Sequence, residues 1–313
     1  MTTIFFATDI HGSDVCWIKF LNAGKFYGAD ILILGGDMTG KAIVPIIQEG
    51  PQKFRSVLLE QEFILEGEEQ YQEMVKRIKS RGYYPYRTNP DEIAELSKTP
   101  EKVNELFLTE ALKTVAQWME TAERKLKDSG IRCFVCPGND DMPEVDAVVR
   151  ASQYVHLAEG EVIQLDSHHE LISSGWSNPT PWHTYREENE EQLKARYEAM
   201  ASRLKNPRNS IFNVHVPPHA SMLDDAPELT EDLRPKYAGN VLKPVGSRAL
   251  RQAIEKYQPL LGLHGHIHES RGSARIGRSL CINPGSMYEQ GTLLGALVKL
   301  GRDKIDSYVL TTG

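Results

Sequence analysis

Residues 260–268 read Leu-Leu-Gly-Leu-His-Gly-His-Ile-His, a short apolar run that ends directly in a group of histidines. A run of this kind, bounded by a turn residue, is typical of a buried strand. Four further runs have the same form, at residues 3–8, 31–34, 131–136 and 211–214. Helical patterns fall between several of them, notably at 13–26 and 246–257. The sequence therefore predicts an α/β layer structure, in which ligands bind where strands end.

The composition is that of an ordinary globular protein. The chain has 313 residues, of which 40% are hydrophobic and 25% charged, so it can bury a core without disulfides. Its 36 Lys and Arg against 43 Asp and Glu give a net charge of −7, which argues against long nucleic-acid polymers as partners. No stretch approaches the roughly 18 apolar residues that span a bilayer. We expect no membrane partner and a cytoplasmic location, and the oligomeric state stays open.

The four cysteines are too few for a disulfide framework in a chain of this length. Cys133 and Cys136 form one C-x-x-C, but it lies inside an apolar run and no second pair completes a zinc site. We expect all four thiols to be reduced and these two to be buried in a strand.

Residues 41–128 differ from the rest because they contain long charged helical patterns at 68–81, 90–97 and 100–127. We predict an inserted helical cap, with the core formed by residues 1–40 and 129–313. None of the candidate ligands lies in the insert, so we expect it to select substrates or contact subunits. Tyr83, Tyr84 and Tyr86 would either line a pocket or pack the insert, and packing is favoured. A second interruption at 176–207 includes an acidic helix near 186–204.

Short motifs of Asp, Asn and His follow the predicted strands. Chance predicts on the order of 0.5 copies of D-x-H in this composition, so Asp9-x-His11 is weak evidence by itself. It predicts only about 0.04 copies of G-N-D and about 0.02 copies of G-H-x-H. Gly138-Asn139-Asp140 and Gly265-His266-Ile267-His268 are therefore informative, and Gly36-Asp37 and His215 follow two further strands.

The spacing within these motifs indicates metal binding. Residues i and i+2 of an extended chain lie on one face, which groups Asp9 with His11 and His266 with His268. Carboxylate, imidazole and amide donors without thiolate suit Mn, Fe or Zn. We expect two divalent metal ions as cofactors. Polar residues that merely end strands are the alternative, which five motifs in this order disfavour.

The ordered series Asp9-x-His11, Gly36-Asp37, Gly138-Asn139-Asp140, His215 and Gly265-His266-x-His268 resembles the calcineurin-like metallophosphoesterase superfamily. The resemblance implies a four-layer αββα sandwich with two mixed β-sheets. It implies a first ion bound by Asp9, His11, Asp37 and His268, and a second bound by Asp37, Asn139, His215 and His266. Asn283-Pro284-Gly285-Ser286 is similar to a turn in the smaller bacterial and archaeal branch of that superfamily.

The implied activity is phosphoester hydrolysis by a hydroxide held between the two ions. We expect a small phosphorylated substrate and a preference for phosphodiesters, because Asp140 and Asp141 would repel the second charge of a monoester. A phosphomonoesterase acting on a phosphorylated metabolite is the alternative. A non-catalytic scaffold of this fold is disfavoured by the full ligand set, and a mononuclear metal-binding regulator would leave half of that set unexplained.

One position departs from the superfamily, which commonly has Gly-Asn-His followed by Asp or Glu. Here Asp140 stands where the histidine would assist the leaving group. Asn139, Asp140 and His215 are the catalytic candidates, and for Asp140 a direct role and a purely electrostatic one both stay open.

Substrate contacts are less well marked in the sequence. His219 and Arg271 are the candidates, and an exposed loop histidine is the alternative for His219. His264 either supports His266 or is simply a buried, hydrogen-bonded histidine. Other cations near motif ends are Lys41, Arg248, Arg275 and Arg278.

Overall fold

The computed structural model describes residues 1–230, 232–234, 236–239 and 241–313. The strands are β1 (Thr2–Ala7), β2 (Ile31–Leu34), β3 (Ile43–Gly50), β4 (Lys53–Leu58), β5 (Gln61–Glu66), β6 (Tyr84–Thr88), β7 (Arg132–Val135), β8 (Val155–Leu157), β9 (Val162–Gln164), β10 (Glu170–Ser174), β11 (Ile211–Val214), β12 (Asp225–Pro227), β13 (Leu242–Pro244), β14 (Leu261–Leu263), β15 (Gly272–Ile276), β16 (Ser279–Asn283), β17 (Leu294–Leu300) and β18 (Ile305–Thr312). The α-helices are α1 (Asp14–Tyr27), α2 (Gly67–Ser80), α3 (Pro90–Leu96), α4 (Pro100–Leu126), α5 (Val145–Arg150), α6 (Glu190–Ala201) and α7 (Arg248–Tyr257).

Two six-stranded mixed sheets form the centre of the molecule. The first has the order β18-β17-β1-β2-β7-β8, with parallel pairing from β1 to β8 and an antiparallel edge of β17 and β18. The second has the order β15-β16-β14-β11-β10-β9, with four parallel central strands between two antiparallel edge strands. The five apolar runs of the sequence are the central strands β1, β2, β7, β11 and β14. Strands buried on both faces read as continuous apolar runs, which is why the sequence revealed them.

The packing confirms the predicted four-layer αββα sandwich. Ile4, Phe6 and Ile33 of the first sheet pack against Ile211 and Leu263 of the second, and this apolar layer joins the two sheets. Helices α1, α4 and α5 cover the outer face of the first sheet. Helices α6 and α7 cover the outer face of the second.

Local signals set the ends of the helices. Ser13 precedes α1 and accepts a hydrogen bond from the backbone N–H of Cys16, while Gly28 ends the helix in the left-handed conformation. Asn189 and Gln192 form a capping box at the start of α6, which is the predicted acidic helix.

The insert at 41–128 holds the three predicted helices, α2 to α4, and also a four-stranded sheet of order β5-β4-β3-β6 that the sequence did not predict. Its strands are only partly buried: β4 reads Lys-Phe-Arg-Ser-Val-Leu and buries every second residue. Helix α2 covers one face through Met74 and Ile78. The insert is therefore a mixed unit of helices and strands, and not a purely helical cap.

Helix α4 belongs in part to the core. Its Trp118 stacks on Trp17 of α1 with ring centroids 5.1 Å apart. Trp17 Nε1 donates a hydrogen bond to the backbone oxygen of Trp118 at 3.1 Å. The second half of α4 thus closes the outer helical layer of the first sheet.

The four cysteines are free, as expected, and all are buried. Burial in a strand was predicted only for Cys133 and Cys136, of which Cys133 lies in β7 and Cys136 directly follows it. Among the helices that the structure describes, none is both long and apolar enough to cross a membrane.

Candidate metal centre

Loops at the carboxyl ends of five central strands meet at one edge of the two sheets. Seven of the predicted site residues lie in these loops: Asp9 and His11 after β1, Asp37 after β2, Asn139 after β7, His215 after β11, and His266 and His268 after β14. Both sheets therefore contribute side chains to a single site.

The loops approach too closely for larger residues at two glycine positions. A Cβ atom on Gly138 would lie 2.1 Å from Asp37 Oδ1, and one on Gly265 would lie 2.3 Å from Asp9 Oδ2. Real Cβ atoms do not approach other atoms this closely, so glycine is required for these loops to converge.

Four of the site residues have positive φ angles, which are unfavourable for non-glycine residues. The angles are 52° for Asp9, 37° for His11, 46° for Asp37 and 67° for His266. Each costs of order 1–3 kcal/mol, and such strain concentrates at functional sites. The backbone is therefore strained at the four positions from which these side chains enter the site.

In the described part of the chain the side-chain donors form three groups, each with its ligand atoms within 4.8 Å of one another, and the third, His11, Asp37 and Asp140, shares one residue with each of the other two. Asp9, His11 and His268 form one group, and Asp37, His215 and His266 form another. Asp37 lies between them: its Oδ2 is 3.6 Å from His11 Nε2 and 3.4 Å from His215 Nε2. Asp9 Oδ1 lies somewhat farther from the same two nitrogens, at 4.0 Å and 3.9 Å, so both carboxylates face both groups and Asp37 is the nearer.

Several buried polar atoms at the site make no hydrogen bond to a described residue. His215 Nδ1 lies 3.1 Å from the backbone oxygen of Gly35, which turns Nε2 inward, where it makes no hydrogen bond. Asn139 Nδ2 donates to Thr184 Oγ1 at 2.8 Å, and Asn139 Oδ1 has no partner. A buried polar atom without a partner is costly, so these atoms point to a ligand.

Protonation of the centre follows from its packing. Burial opposes ionisation of Asp9 and Asp37, yet His215 holds the pKa of both carboxyls well below the usual range. Burial would lower the pKa of His215, but Asp37 and Asp9 outweigh it and raise that pKa to about 9. Burial and the charge of His215 lower the pKa of His266 to about 4. Near neutral pH the two carboxylates and the neutral His266 are in forms that bind metal, whereas His215 is protonated and would release its proton when an ion binds.

These residues fit a pair of divalent ions. The donors are carboxylates, imidazoles and one amide oxygen, a set that suits Mn, Fe or Zn. In the part of the chain that the structure describes, two of these atoms, His215 Nε2 and Asn139 Oδ1, are buried and make no hydrogen bond, and His215 Nε2 faces the Asp37 carboxylate at 3.4 Å.

The residue that replaces the expected histidine forms an ion pair. Asp140 Oδ2 lies 3.1 Å from Lys41 Nζ and 4.0 Å from His11 Nδ1. Burial and the nearby Asp37 raise the pKa of Asp140 to about 6, and Lys41 opposes this rise. No sequence pattern predicts this pairing, because the two partners are far apart along the chain.

Asp141 has a different role from its neighbour. Its buried carboxylate accepts hydrogen bonds from the backbone N–H groups of Met38, Thr39 and Gly138, at 2.7–3.0 Å, and from Thr39 Oγ1 at 2.8 Å. It ties the loop of Asp37 to the loop of Asn139. Of the two carboxylates expected to repel a monoester, Asp141 faces backbone donors and Asp140 faces Lys41, and the repulsion itself stays a prediction.

Other residues that the sequence did not reveal support the loops. The buried Arg186 donates to the backbone oxygens of Asp141 and Met142 and to Asp146. Tyr288 packs its ring 4.7 Å from that of His11. Neither residue lies in a motif, so only the structure could find them.

The turn at 283–286 holds two loops of the centre. Asn283 Nδ2 donates to the backbone oxygens of Gly265 and Ile267, at 3.3 and 2.9 Å. Ser286 Oγ donates to the backbone oxygen of Asp9 at 2.6 Å. This turn thus joins the histidine loop to the loop after β1.

Most of the other candidate residues make contacts away from the donor groups. His219 Nδ1 is 3.8 Å from Asp224 Oδ2, and Arg271 donates to Thr311 and Thr312. His264 is buried with Nδ1 2.8 Å from the backbone oxygen of Val214. The Arg275 and Arg278 side chains donate to main-chain oxygens, and the Arg248 side chain makes no hydrogen bond or ion pair within the described ranges. Of the candidate cations, Lys41 alone pairs with a described residue of the centre.

Comparisons with known proteins agree with this architecture. No protein-family model matches the chain. An uncharacterized protein of Methanocaldococcus jannaschii is 29% identical over 169 residues, which cover 53% of this chain and 70% of that protein. The protein TT1561 of Thermus thermophilus has a similar structure, with a TM-score of 0.54 and 14% identity over 100% of this chain and 98% of the other. A dimetal phosphatase from Danio rerio gives a lower TM-score of 0.41 at 8% identity, over 99% of this chain and 98% of the other. The likeness to TT1561 is one of fold.

Proposed function

We infer that this chain, which has the calcineurin-like metallophosphoesterase fold, is a binuclear metal-dependent phosphoesterase that hydrolyses phosphodiester bonds of a small substrate. The observation that carries this proposal is the placement of Asp37 Oδ2, at 3.6 Å and 3.4 Å from histidines of two separate donor groups. A shared carboxylate between two donor groups suits two ions held close together.

The donor groups support an assignment of ligands to the two ions. Asp9, His11 and His268 would hold the first, His215, His266 and Asn139 the second, and Asp37 both. When bound, the ions would activate a water molecule and offset the charge that develops on the phosphate. Manganese, iron and zinc are the metals that suit these donors.

The protein's own side chains would orient the substrate. Lys41 is 45% exposed at the side chain while its Nζ contacts Asp140, so it can reach both the centre and an approaching phosphate. Asp140 would position that ammonium group, and its backbone N–H already donates to Asp37 Oδ1 at 3.0 Å. Asn139 Nδ2, bonded to Thr184, keeps its amide oxygen directed inward.

Charge favours a phosphodiester over a monoester. Lys41 is the sole Lys or Arg within ion-pair distance of Asp9, Asp37 or Asp140 in the described part of the chain. Asp140 already matches its charge, so, apart from the ions themselves, this pair adds no surplus positive charge for the second negative charge of a monoester. A diester carries only one such charge.

The test compares bis(p-nitrophenyl) phosphate with p-nitrophenyl phosphate, each with added Mn²⁺ and after treatment with a chelator. We expect a higher kcat/KM for the diester and loss of both activities on chelation, with recovery when metal returns. Full activity in the metal-free protein would contradict a metal-dependent enzyme. A higher kcat/KM for the monoester would instead favour a phosphomonoesterase.

A further inference from the structure

A second concave site lies at the other end of the second sheet. It is a cavity of about 840 Å³ lined by residues before β11, at the starts of β10 and β16, and between β17 and β18. The parallel strands β10, β11 and β16 run from this cavity toward the metal centre. At about 3.3 Å per residue, strands of four or five residues separate the two sites by roughly 15 Å.

The cavity concentrates positive charge in a protein whose net charge is −7. Lys205, Arg208, Arg278 and Arg302 line it, and none of them lies within ion-pair distance of a carboxylate in the described residues.

Two carboxylates also line the cavity, and one of them already accepts hydrogen bonds from the backbone. Glu170 is buried, and its Oε2 accepts hydrogen bonds from the backbone N–H groups of Lys205 and Asn206, at 2.9 and 3.4 Å. Asp303 is the other acidic residue on the wall. The four cations thus outnumber the acidic groups by two.

The walls are fixed by hydrogen bonds between separate segments. The buried Asn209 donates from Nδ2 to the backbone oxygens of His168 and Arg302, each at 2.9 Å. The Arg278 guanidinium donates to the backbone oxygens of Gln258 and Asp303, at 3.2 and 3.3 Å, and also to that of Arg208. These links preform the cavity, which lowers the entropy cost of binding.

Two guanidinium groups on the wall have no hydrogen-bond or ion-pair partner among the described residues. In the part of the chain that the structure describes, the side chains of Arg208 and Arg302 make neither a hydrogen bond nor an ion pair. Guanidinium groups offer planar pairs of donors that match phosphate oxygens. Their free donors and the preformed walls together indicate an anionic ligand.

We propose that this cavity is a second binding site, for a small polyphosphorylated anion, distinct from the metal centre. Its volume falls in the range of about 300–1,000 Å³ that is usual for small-molecule sites. The cations surround one cavity and do not extend along a track, which fits a compact ligand better than a polymer. The inference does not depend on the reaction at the metal centre.

The test measures binding of inorganic tripolyphosphate by calorimetry, with chelator present. It uses the full chain carrying Asp37→Asn, so that the metal centre cannot contribute. We expect Arg208→Gln with Arg302→Gln to weaken binding at least tenfold, and Arg208→Lys with Arg302→Lys to retain most of it. Lys98→Gln with Arg124→Gln removes the same charge from exposed positions elsewhere and should change the affinity less than twofold.

Because neither arginine side chain makes a hydrogen bond or ion pair within the described ranges, the glutamine variants should keep the wild-type melting temperature, which checks the fold. Equal losses in the cavity pair and the control pair would overturn the proposal, since they would show a general charge effect. The proposal would also be overturned if the wild-type chain bound tripolyphosphate but Asp37→Asn did not, while the cavity variant still bound it. Absence of any binding would overturn it too.

Discussion

At the scale of single residues, Asp37 is the position on which both donor groups depend. Its pKa is held well below the usual range despite burial, because His215 and His11 offset its charge. The carboxylate is therefore ionised near neutral pH before any ion binds, which is the form that binds metal. A change at this residue should affect both ions, whereas changes at His268 or His266 should affect one first.

We expect Asp37→Asn to lower bound metal from two ions to at most one and to reduce diester turnover by about a hundredfold or more, because the shared charge is lost. Elemental analysis and turnover with added Mn²⁺ would measure this. Asp166→Asn is a matched control, since that carboxylate bonds to His169 and Thr2 far from the centre. Two ions and full turnover in Asp37→Asn would contradict the shared role.

Lys41 and Asp140 make a charge-balanced pair whose members should act in opposite directions on selectivity. We expect Asp140→Asn to raise monoester turnover relative to diester turnover, and Lys41→Met to lower that ratio. One unit charge at about 5 Å and an effective dielectric near 20 gives an upper bound of about 3 kcal/mol, and a third of that changes the ratio several-fold.

The measurement is kcat/KM for a matched pair of nitrophenyl esters on each variant. Lys41→Arg keeps the charge and should stay near the wild-type ratio. If both neutralising variants moved the ratio in the same direction, the pair would not set selectivity.

At the scale of elements, the insert contacts the loops that carry the ligands. A Cβ atom on Gly82, just before β6, would lie 2.0 Å from the backbone oxygen of His11. The backbone N–H of Gly40 donates to the Tyr84 hydroxyl at 2.6 Å. The insert thus supports the loops of His11 and of Lys41. That it selects substrates stays a prediction.

We expect Tyr84→Phe to lower the free energy of unfolding by about 1–2 kcal/mol, because the buried N–H of Gly40 loses its partner. It should also raise KM for the diester, since Lys41 follows Gly40 directly. Denaturant unfolding and steady-state kinetics would measure the two effects. Tyr86→Phe is the matched control, because its hydroxyl bonds to Glu92 on the same insert. Unchanged KM in Tyr84→Phe would mean that the contact is only structural.

The elements that could be predicted are those whose signal is local. Strands buried on both faces, such as β2 and β11, gave continuous apolar runs, and the motifs at their ends gave the donors. Strands β3 to β6 are longer than β2 and β11 but only partly buried, so polar residues interrupt their apolar pattern and it was lost among charged helices. Contacts such as Lys41 with Asp140, or Asn139 with Thr184, join distant parts of the chain and leave no local pattern.

At the scale of the whole molecule, the candidate centre lies across two sheets that are otherwise joined by apolar packing. Asp9, His11 and Asp37 follow strands of the first sheet, and His215 and His266 follow strands of the second. Ions held by both sets would cross-link the sheets at one edge. Metal binding should therefore stabilise the folded chain as a whole.

We expect added Mn²⁺ to raise the melting temperature of the chelated wild-type protein, because an ion that binds only the folded state shifts the unfolding equilibrium. An ion at about 100 times its Kd contributes about 2.7 kcal/mol, which for a chain of this size corresponds to a shift on the order of 5 °C. Calorimetric melting with and without metal would measure it, and the shift should be much smaller in Asp37→Asn, which keeps the apolar layer between the sheets. An equal shift in that variant would show that the metal stabilises the protein from another position, and the ligands would then have to be sought outside this edge of the sheets.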